Sequence, residues 1–124
     1  MKSVVLISLE PATVDFSDPA LPPGISAEKI HAGVKLALAD FAARGWHAQN
    51  CFINPDETAI ATVERCLADH VYDCVVIGAG LRLPLSRLLL YEAVVNAVHR
   101  SAPQAAIAFN TRPEDSGAAA ARWI

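Results

Sequence analysis

Two kinds of hydrophobic pattern alternate along this chain. Short runs of consecutive apolar residues are each followed by a longer stretch in which apolar residues recur every three or four positions. The first pattern is typical of buried β-strands, and the second is typical of amphipathic α-helices. Their alternation predicts a parallel sheet covered by helices on both faces. The predicted strands are Ser3 to Leu9, His47 to Ile53, Cys74 to Ile77 and Ala105 to Phe109.

The first two predicted helices have recognisable start and stop signals. Ser26 is a cap for the first helix, and Gly45 ends it. For the second helix, Asn54 is the predicted cap, Pro55 takes the first helical position and Glu57 is the acidic partner of the cap. The predicted buried stripes are Ile30, Val34, Leu38 and Phe41 on the first helix and Ile60, Val63, Leu67 and Val71 on the second.

The last two predicted helices differ in their apolar content. The third is predicted from Pro84 to His99, and apolar residues cover more of its circumference than one sheet face needs. This surplus, with the apolar edge of strand four, predicts self-association, with a homodimer as the simplest form. The fourth follows a capping-box spacing between Thr111 and Glu114 and runs to the end of the sequence at Ile124.

The four strand–helix units leave two credible strand orders once every crossover is right-handed. These are the flavodoxin-like order 2-1-3-4 and the Rossmann-like order 3-2-1-4. The first is favoured, because it puts the polar second strand on an edge and the apolar third strand inside. The sequence therefore predicts a three-layer α/β/α sandwich with a mostly parallel sheet of about four strands. Residues 1–124 form a single Rossmann-like or flavodoxin-like domain.

Composition and charge narrow the classes of function. The chain has 124 residues, 53% of them hydrophobic, which suits one domain with one core. Its net charge of -3, without a basic stripe, argues against a nucleic-acid or anionic membrane partner. No apolar run approaches the ~18 residues of a membrane span. Three cysteines inside apolar segments suit reduced core thiols and a cytoplasmic location.

A glycine-containing turn directly after the third strand marks the candidate site. In open parallel sheets, ligands bind at the carboxyl ends of the strands, where helix amino termini also favour anions. Guanidinium groups and neutral donors in these loops suit a small carboxylate or phosphate. The alternatives are a plain tight turn, with arginines that are solvated or paired with nearby acids. The predicted ligand-binding residues are Gly78, Ala79, Gly80, Arg82, Asn110, Thr111 and Arg112.

The sequence motifs for cofactor and metal binding are incomplete. The glycine pair lacks the third glycine of a dinucleotide fingerprint, since Leu83 stands in its place. His47 and Cys51 share a strand face, and Cys66 and His70 share a helix face, so zinc would require these two faces to oppose each other. Neither pair has the compact spacing of a structural zinc site. The prediction is no cofactor and no metal.

Two alternatives to a ligand-binding domain remain open. The first is a small enzyme whose acid or base is Glu10, Asp15 or Asp56, although no catalytic residue is identified. The second is an interaction module without a cleft. The Pro-rich segment from Glu10 to Gly24 is long for a strand–helix connection, and it is either a binding loop or a packed segment at the sheet edge.

Three segments carry a resemblance to a known family. They are YDCVVIGAGLRLP (72–84), NAVHRSAP (96–103) and FNTRPED (109–115). Together they resemble a family of small uncharacterised bacterial proteins of about this length, over nearly the whole chain. The resemblance implies a Rossmann-like, flavodoxin-related domain, and it carries no activity, cofactor or catalytic residue.

Overall fold

All four predicted strands form, and all run in the same direction. A computed structural model describes residues 1–124. Its strands are β1 (Ser3–Leu9), β2 (His47–Ile53), β3 (Cys74–Ile77) and β4 (Ala106–Phe109). Its α-helices are α1 (Ala27–Ala43), α2 (Ala59–Ala68), α3 (Ala79–Arg82), α4 (Leu88–Ser101) and α5 (Ser116–Ala121), and short 3-10 turns cover Pro11–Thr13, Leu85–Arg87 and Pro113–Asp115. None of the helices combines the length and apolarity that a bilayer crossing requires.

The strand order is β2-β1-β3-β4, which confirms the flavodoxin-like prediction. In the parallel register, Val4 of β1 lies opposite Ala48 of β2 and Cys74 of β3, and Cys74 lies opposite Ala106 of β4. The two most buried strands, β1 and β3, are therefore central, and the more polar β2 is an edge strand. The chain has an α/β fold with a four-stranded, all-parallel sheet and flanking helices.

The central strands contribute alternate residues to two hydrophobic clusters, one on each face of the sheet. On one face, Val5 and Ile7 pack with residues of α2 and α4. On the other face, Val4 and Leu6 pack with residues of α1 and α5. Burial on both faces explains why β1 and β3 are continuous apolar runs in the sequence.

Helix α2 begins later than the sequence predicts. Asn54 does not cap it; instead the Asp56 carboxylate accepts hydrogen bonds from the Thr58 amide, at 2.9 Å, and from the Thr58 hydroxyl. This local turn holds residues 56–58 outside the helix, which starts at Ala59. The helix also ends at Ala68, so Val71 is not part of its buried stripe and is 73% exposed.

The predicted third helix is divided into separate pieces. Pro84 does not start it; this residue is extended, with φ -72° and ψ 126°, and it precedes the 3-10 turn Leu85–Arg87. The long helix α4 begins only at Leu88. Because proline has no amide hydrogen, it cannot continue the hydrogen-bonding of α3, which ends at Arg82 just before it.

The predicted capping pair before the last helix is also wrong. Thr111 is hydrogen-bonded to Asp115, whose carboxylate accepts from the Thr111 amide at 3.0 Å and from the Thr111 hydroxyl. Glu114 points elsewhere, with Oε2 3.9 Å from Nε of Arg112. The acid one residue further along is the partner because the intervening residues form a 3-10 turn.

Candidate functional site

A cleft opens at the carboxyl ends of β1, β3 and β4. Its other walls are the segment from Val14 to Ile25 and the start of α1, and it encloses about 60 Å³. We call it the carboxyl-edge cleft. It lies between the central strands β1 and β3, where consecutive helices leave toward opposite faces of the sheet. This is the place at which open α/β folds hold their ligands.

The structure brings most of the sequence-predicted site residues together in this cleft, and leaves one outside. Arg82 is not part of its lining. The predicted residues that line the cleft are Gly78, Ala79, Gly80, Asn110, Thr111 and Arg112.

The glycines of the predicted turn have different roles. The Gly78 amide donates to the Ile7 carbonyl at 2.8 Å, and a Cβ at Gly78 would lie only 3.2 Å from that same oxygen. Gly78 therefore permits a close approach between the end of β3 and β1. A Cβ at Gly80, which lines the cleft, would meet no atom within 4 Å.

Asn110 is buried, and its side chain joins the loops around the cleft. Its Oδ1 accepts a hydrogen bond from the Ala79 amide at 2.8 Å, and its Nδ2 donates to the Ser116 hydroxyl at 3.0 Å. The Ser116 hydroxyl in turn donates to the Pro113 carbonyl at 2.7 Å. Both ends of the Asn110 amide are thus occupied by the protein, so this residue positions the site.

Arg82 is held against β4. Its guanidinium donates to the Asn110 carbonyl at 2.9 Å and lies 5.9 Å from the centroid of the Phe109 ring. Phe109 packs with Tyr91 of α4, which places Arg82 on the α4 side of the sheet. The positive charge at the cleft itself comes from Arg112.

Arg112 lies where the cleft widens into a second, larger depression. This outer groove has a volume of about 440 Å³ and shares Pro22, Ile25 and Arg112 with the cleft. The Arg112 side chain is 68% exposed. Lys29 also lines the outer groove, and its ammonium group donates to the Gly24 carbonyl at 2.7 Å. A cationic outer groove therefore leads into the carboxyl-edge cleft.

The inner walls of the cleft are largely apolar, which the sequence analysis missed. Leu6 and Leu9 extend from β1, and Leu21 comes from the Pro-rich segment, and all three are buried. The sequence does contain apolar residues at intervals through the long segment between Glu10 and Gly24, and these could have indicated an apolar wall. Their convergence on β1 depends on how that segment folds back over the sheet.

The candidate acid–base carboxylates lie outside the cleft. Glu10, Asp15 and Asp56 are absent from its lining. Hydrogen bonds from the Ser17 hydroxyl and amide lower the pKa of Asp15, and the equivalent bonds from Thr58 lower the pKa of Asp56. Both exposed carboxylates therefore act as turn-forming acceptors, and both are weaker bases than a free aspartate.

The two Cys–His pairs of the sequence do face each other. His47, Cys51, Cys66 and His70 line one pocket of about 270 Å³ between β2 and α2. The two imidazole centroids are 4.4 Å apart, and Nε2 of His70 is 2.8 Å from the Ser3 hydroxyl. Burial and the neighbouring Cys66 thiol raise the pKa of Cys51. No three His, Cys, Asp or Glu side chains of the chain are arranged to hold one metal ion.

Comparison with protein-family models, curated proteins and solved structures finds no match to this chain. The resemblance to a family of small bacterial proteins accordingly stays a prediction, and the site is interpreted from its own geometry.

Proposed function

We propose that this protein is a ligand-binding domain whose carboxyl-edge cleft holds a small anion. The observation that carries the proposal is the continuity between the closed cleft and the outer groove, with Arg112 lining both. The cleft lies between β1 and β3, at the switch point of the sheet, where ligands of this architecture bind. A ligand entering through the groove would keep its charged end beside Arg112.

The charges around the groove support an anionic ligand. Arg112 and Lys29 both line it, and Glu114 is the one acidic residue among its lining. The Arg112–Glu114 contact is long, at 3.9 Å, and solvent-exposed, so it holds the guanidinium weakly. A carboxylate approaching Arg112 can therefore form the two parallel hydrogen bonds that a guanidinium offers.

Binding has more support than acid–base catalysis. A general base must lie within hydrogen-bond reach of its substrate, and its pKa is usually raised toward neutrality. Asp15 and Asp56 meet neither condition, since they lie outside the cleft and their pKa values are lowered. The concave cleft also gives a ligand-binding domain more support than a flat interaction module.

The three cysteines form no disulfide bond, which favours a reducing, cytoplasmic compartment.

A thermal-shift screen of small carboxylates, phosphates and nucleotides tests this proposal. We expect at least one anion to raise the unfolding temperature of the wild type, and we expect Arg112→Gln to abolish that rise. Arg100→Gln is the matched control, because Arg100 is exposed on α4 and far from the cleft lining. Absence of any stabilising anion, or stabilisation that survives Arg112→Gln, contradicts the proposal.

We also propose that the protein self-associates through an exposed group of leucines. Leu85, Leu88 and Leu89 are 89%, 53% and 79% exposed, and we call them the leucine patch. They lie together because α4 starts directly after the 3-10 turn that carries Leu85. The edge of β4 has less support as a contact between protein copies, because this strand has only four residues. The Phe109 carbonyl on β4 also already accepts a hydrogen bond from the Arg122 guanidinium. Contiguous exposed apolar groups of this kind often mark protein contacts.

Light scattering over a range of protein concentrations tests the leucine patch. We expect a dimer mass for the wild type and a monomer mass for the double variant Leu85→Lys/Leu89→Lys. Val71→Lys is the control, because Val71 is 73% exposed and lies outside the patch. A wild type that stays monomeric at high concentration, or a double variant that stays dimeric, rules the patch out.

A further inference from the structure

Two polar side chains that line the carboxyl-edge cleft, Asn110 and Ser8, already have hydrogen-bond partners within the protein. Asn110 is hydrogen-bonded to Ala79 and Ser116, and the Ser8 hydroxyl donates to Asn50 at 3.2 Å. No buried side-chain nitrogen or oxygen of the chain lacks a hydrogen bond. A hydroxyl or phosphate pushed into the cleft would lose its water among largely hydrocarbon walls and would have to share groups that are already hydrogen-bonded. The cleft therefore favours an apolar group in the buried part of a ligand.

The walls of the cleft match an apolar group. Leu6 and Leu9 line it from β1, Leu21 lines it from the Pro-rich segment, and Ile30 lines it from α1. Three of these four side chains are buried even without a ligand. An aliphatic group in this place would contact hydrocarbon on several sides, which is the environment that favours its transfer from water.

The size of the cleft limits that group. It encloses about 60 Å³, whereas a cavity of about 150 Å³ is known to admit benzene. The cleft therefore suits a short aliphatic chain better than an aromatic ring. The remainder of the ligand would lie in the outer groove, whose volume is about 440 Å³.

The charged end of the ligand is limited by the surroundings of Arg112. One guanidinium matches one carboxylate through two parallel hydrogen bonds. Glu114 lies 3.9 Å from Arg112 and repels a second negative charge. These contacts favour a monoanion over a phosphate dianion.

We infer that the ligand is a short-chain aliphatic monocarboxylate, with its hydrocarbon chain in the carboxyl-edge cleft and its carboxylate on Arg112. This inference rests on the proposed function, and it names the chemical class of ligand for the same site. It distinguishes this site from one for nucleotides, sugars or inorganic phosphate, whose several polar groups would be buried against largely apolar walls.

Calorimetric titration of the intact wild type with a matched series of acids tests the inference. The probes are acetate, butyrate, isovalerate, benzoate, the neutral amide of isovalerate, and inorganic phosphate. We expect affinity to rise from acetate to isovalerate, by about fourfold for each buried methylene. Isovalerate should bind more tightly than benzoate, because the ring exceeds the cleft, and its amide should lose at least tenfold.

A variant that adds bulk at the lining of the cleft provides an independent measurement. Gly80 lines the cleft, and a Cβ there meets no atom within 4 Å, so Gly80→Leu adds bulk into open space. We expect it to weaken isovalerate binding at least tenfold. Ala61→Leu adds the same bulk on the exposed side of α2 and should leave binding unchanged.

The outcomes separate this inference from the proposed function. Equal affinity along the acid series, tighter binding of benzoate, or phosphate binding that depends on Arg112 overturns the aliphatic carboxylate and leaves an anion site. Isovalerate binding that Gly80→Leu does not weaken overturns its placement in the cleft. If no anion binds at all, the proposed function fails together with the inference. The acid series needs only wild-type protein, so it stays decisive even if Gly80→Leu does not fold.

Discussion

At the residue scale, the side chains that organise the carboxyl-edge cleft are those with buried hydrogen bonds. Asn110 is 2% exposed and Ser116 is fully buried, and together they join the end of β4 to the start of α3 and to α5. The sequence marked Asn110 as a ligand donor because it follows a strand at the correct edge. The structure shows that its amide is used to hold the backbone of the site in place.

Replacing Asn110 should therefore destabilise the fold. Asn110→Ala leaves the buried Ala79 amide without an acceptor and the Ser116 hydroxyl without a donor. We expect a loss of about 2–4 kcal/mol in the free energy of unfolding, measured by urea denaturation. Asn96→Ala is the control, because Asn96 is exposed on α4, and it should change stability by less than about 0.5 kcal/mol. A similar effect for both variants contradicts the role given to Asn110.

The three thiols should differ in reactivity. Cys51 is 3% exposed and Cys74 is fully buried, and burial raises the pKa of both. Cys66 is partly exposed in the pocket between β2 and α2. Because the thiolate is the nucleophile, we expect iodoacetamide at neutral pH to label native protein once, at Cys66, and denatured protein three times. Mass spectrometry of peptides checks this, and Cys66→Ser should remove the native label. Rapid native labelling of Cys74 speaks against the buried placement.

At the scale of elements, the strand ends are set by burial, whereas the helix ends depend on local competition. Every strand bound matches the pattern to within one residue, and the central strands β1 and β3 are the ones buried on both faces. The predicted start of α2 at Asn54 is wrong because Asn54, Asp56 and Thr58 can all cap a helix. The hydrogen-bonded turn between Asp56 and Thr58 forms in place of the predicted Asn54 cap. Such alternatives differ by small energies, so packing decides among them.

The junction between β3 and α3 gives a matched pair of substitutions. We expect Gly78→Ala to lower stability by about 1–3 kcal/mol, because the new Cβ would press on a backbone carbonyl that cannot move freely. Gly80→Ala, two residues away, meets open space and should range from neutral to about 1 kcal/mol more stable. Urea unfolding of both variants measures the two changes in stability. Equal destabilisation would contradict the difference in packing between Gly78 and Gly80.

At the scale of the whole molecule, two hydrophobic clusters share one sheet. Their common members are the central strands, which contribute one face to each cluster. Loss of either cluster exposes the same strands, so the two faces are expected to unfold together. The same burial holds Cys51, Tyr72 and Cys74 in their protonated forms by raising their pKa values.

Stability should therefore fall in alkaline solution. The pKa of Cys74 is raised from its ordinary 9.0 to about 11, so the unfolded chain releases this proton first. The contribution is fully present below pH 9.0 and is lost as pH rises toward about 11. Between about pH 8 and about pH 10.5, we expect urea denaturation to show a loss of about 2 kcal/mol from Cys74 alone. Cys74→Ala should reduce this loss, and an unchanged pH dependence in that variant would refute the assignment.

The hydrophobic pattern of the chain predicts the class of fold and the strand positions, favours the observed strand order over the Rossmann-like alternative, and indicates the sheet edge of the candidate site. Each of these follows from the pattern of apolar and polar residues within single segments, and that pattern is local and reflects a large burial energy. Tertiary structure alone decided which side chains face the cleft. It turned Arg82 onto the Asn110 carbonyl, brought Leu21 over β1, and left Leu85 and Leu89 exposed beyond Pro84. These outcomes depend on contacts between residues far apart in the chain, which periodicity along a single segment does not record.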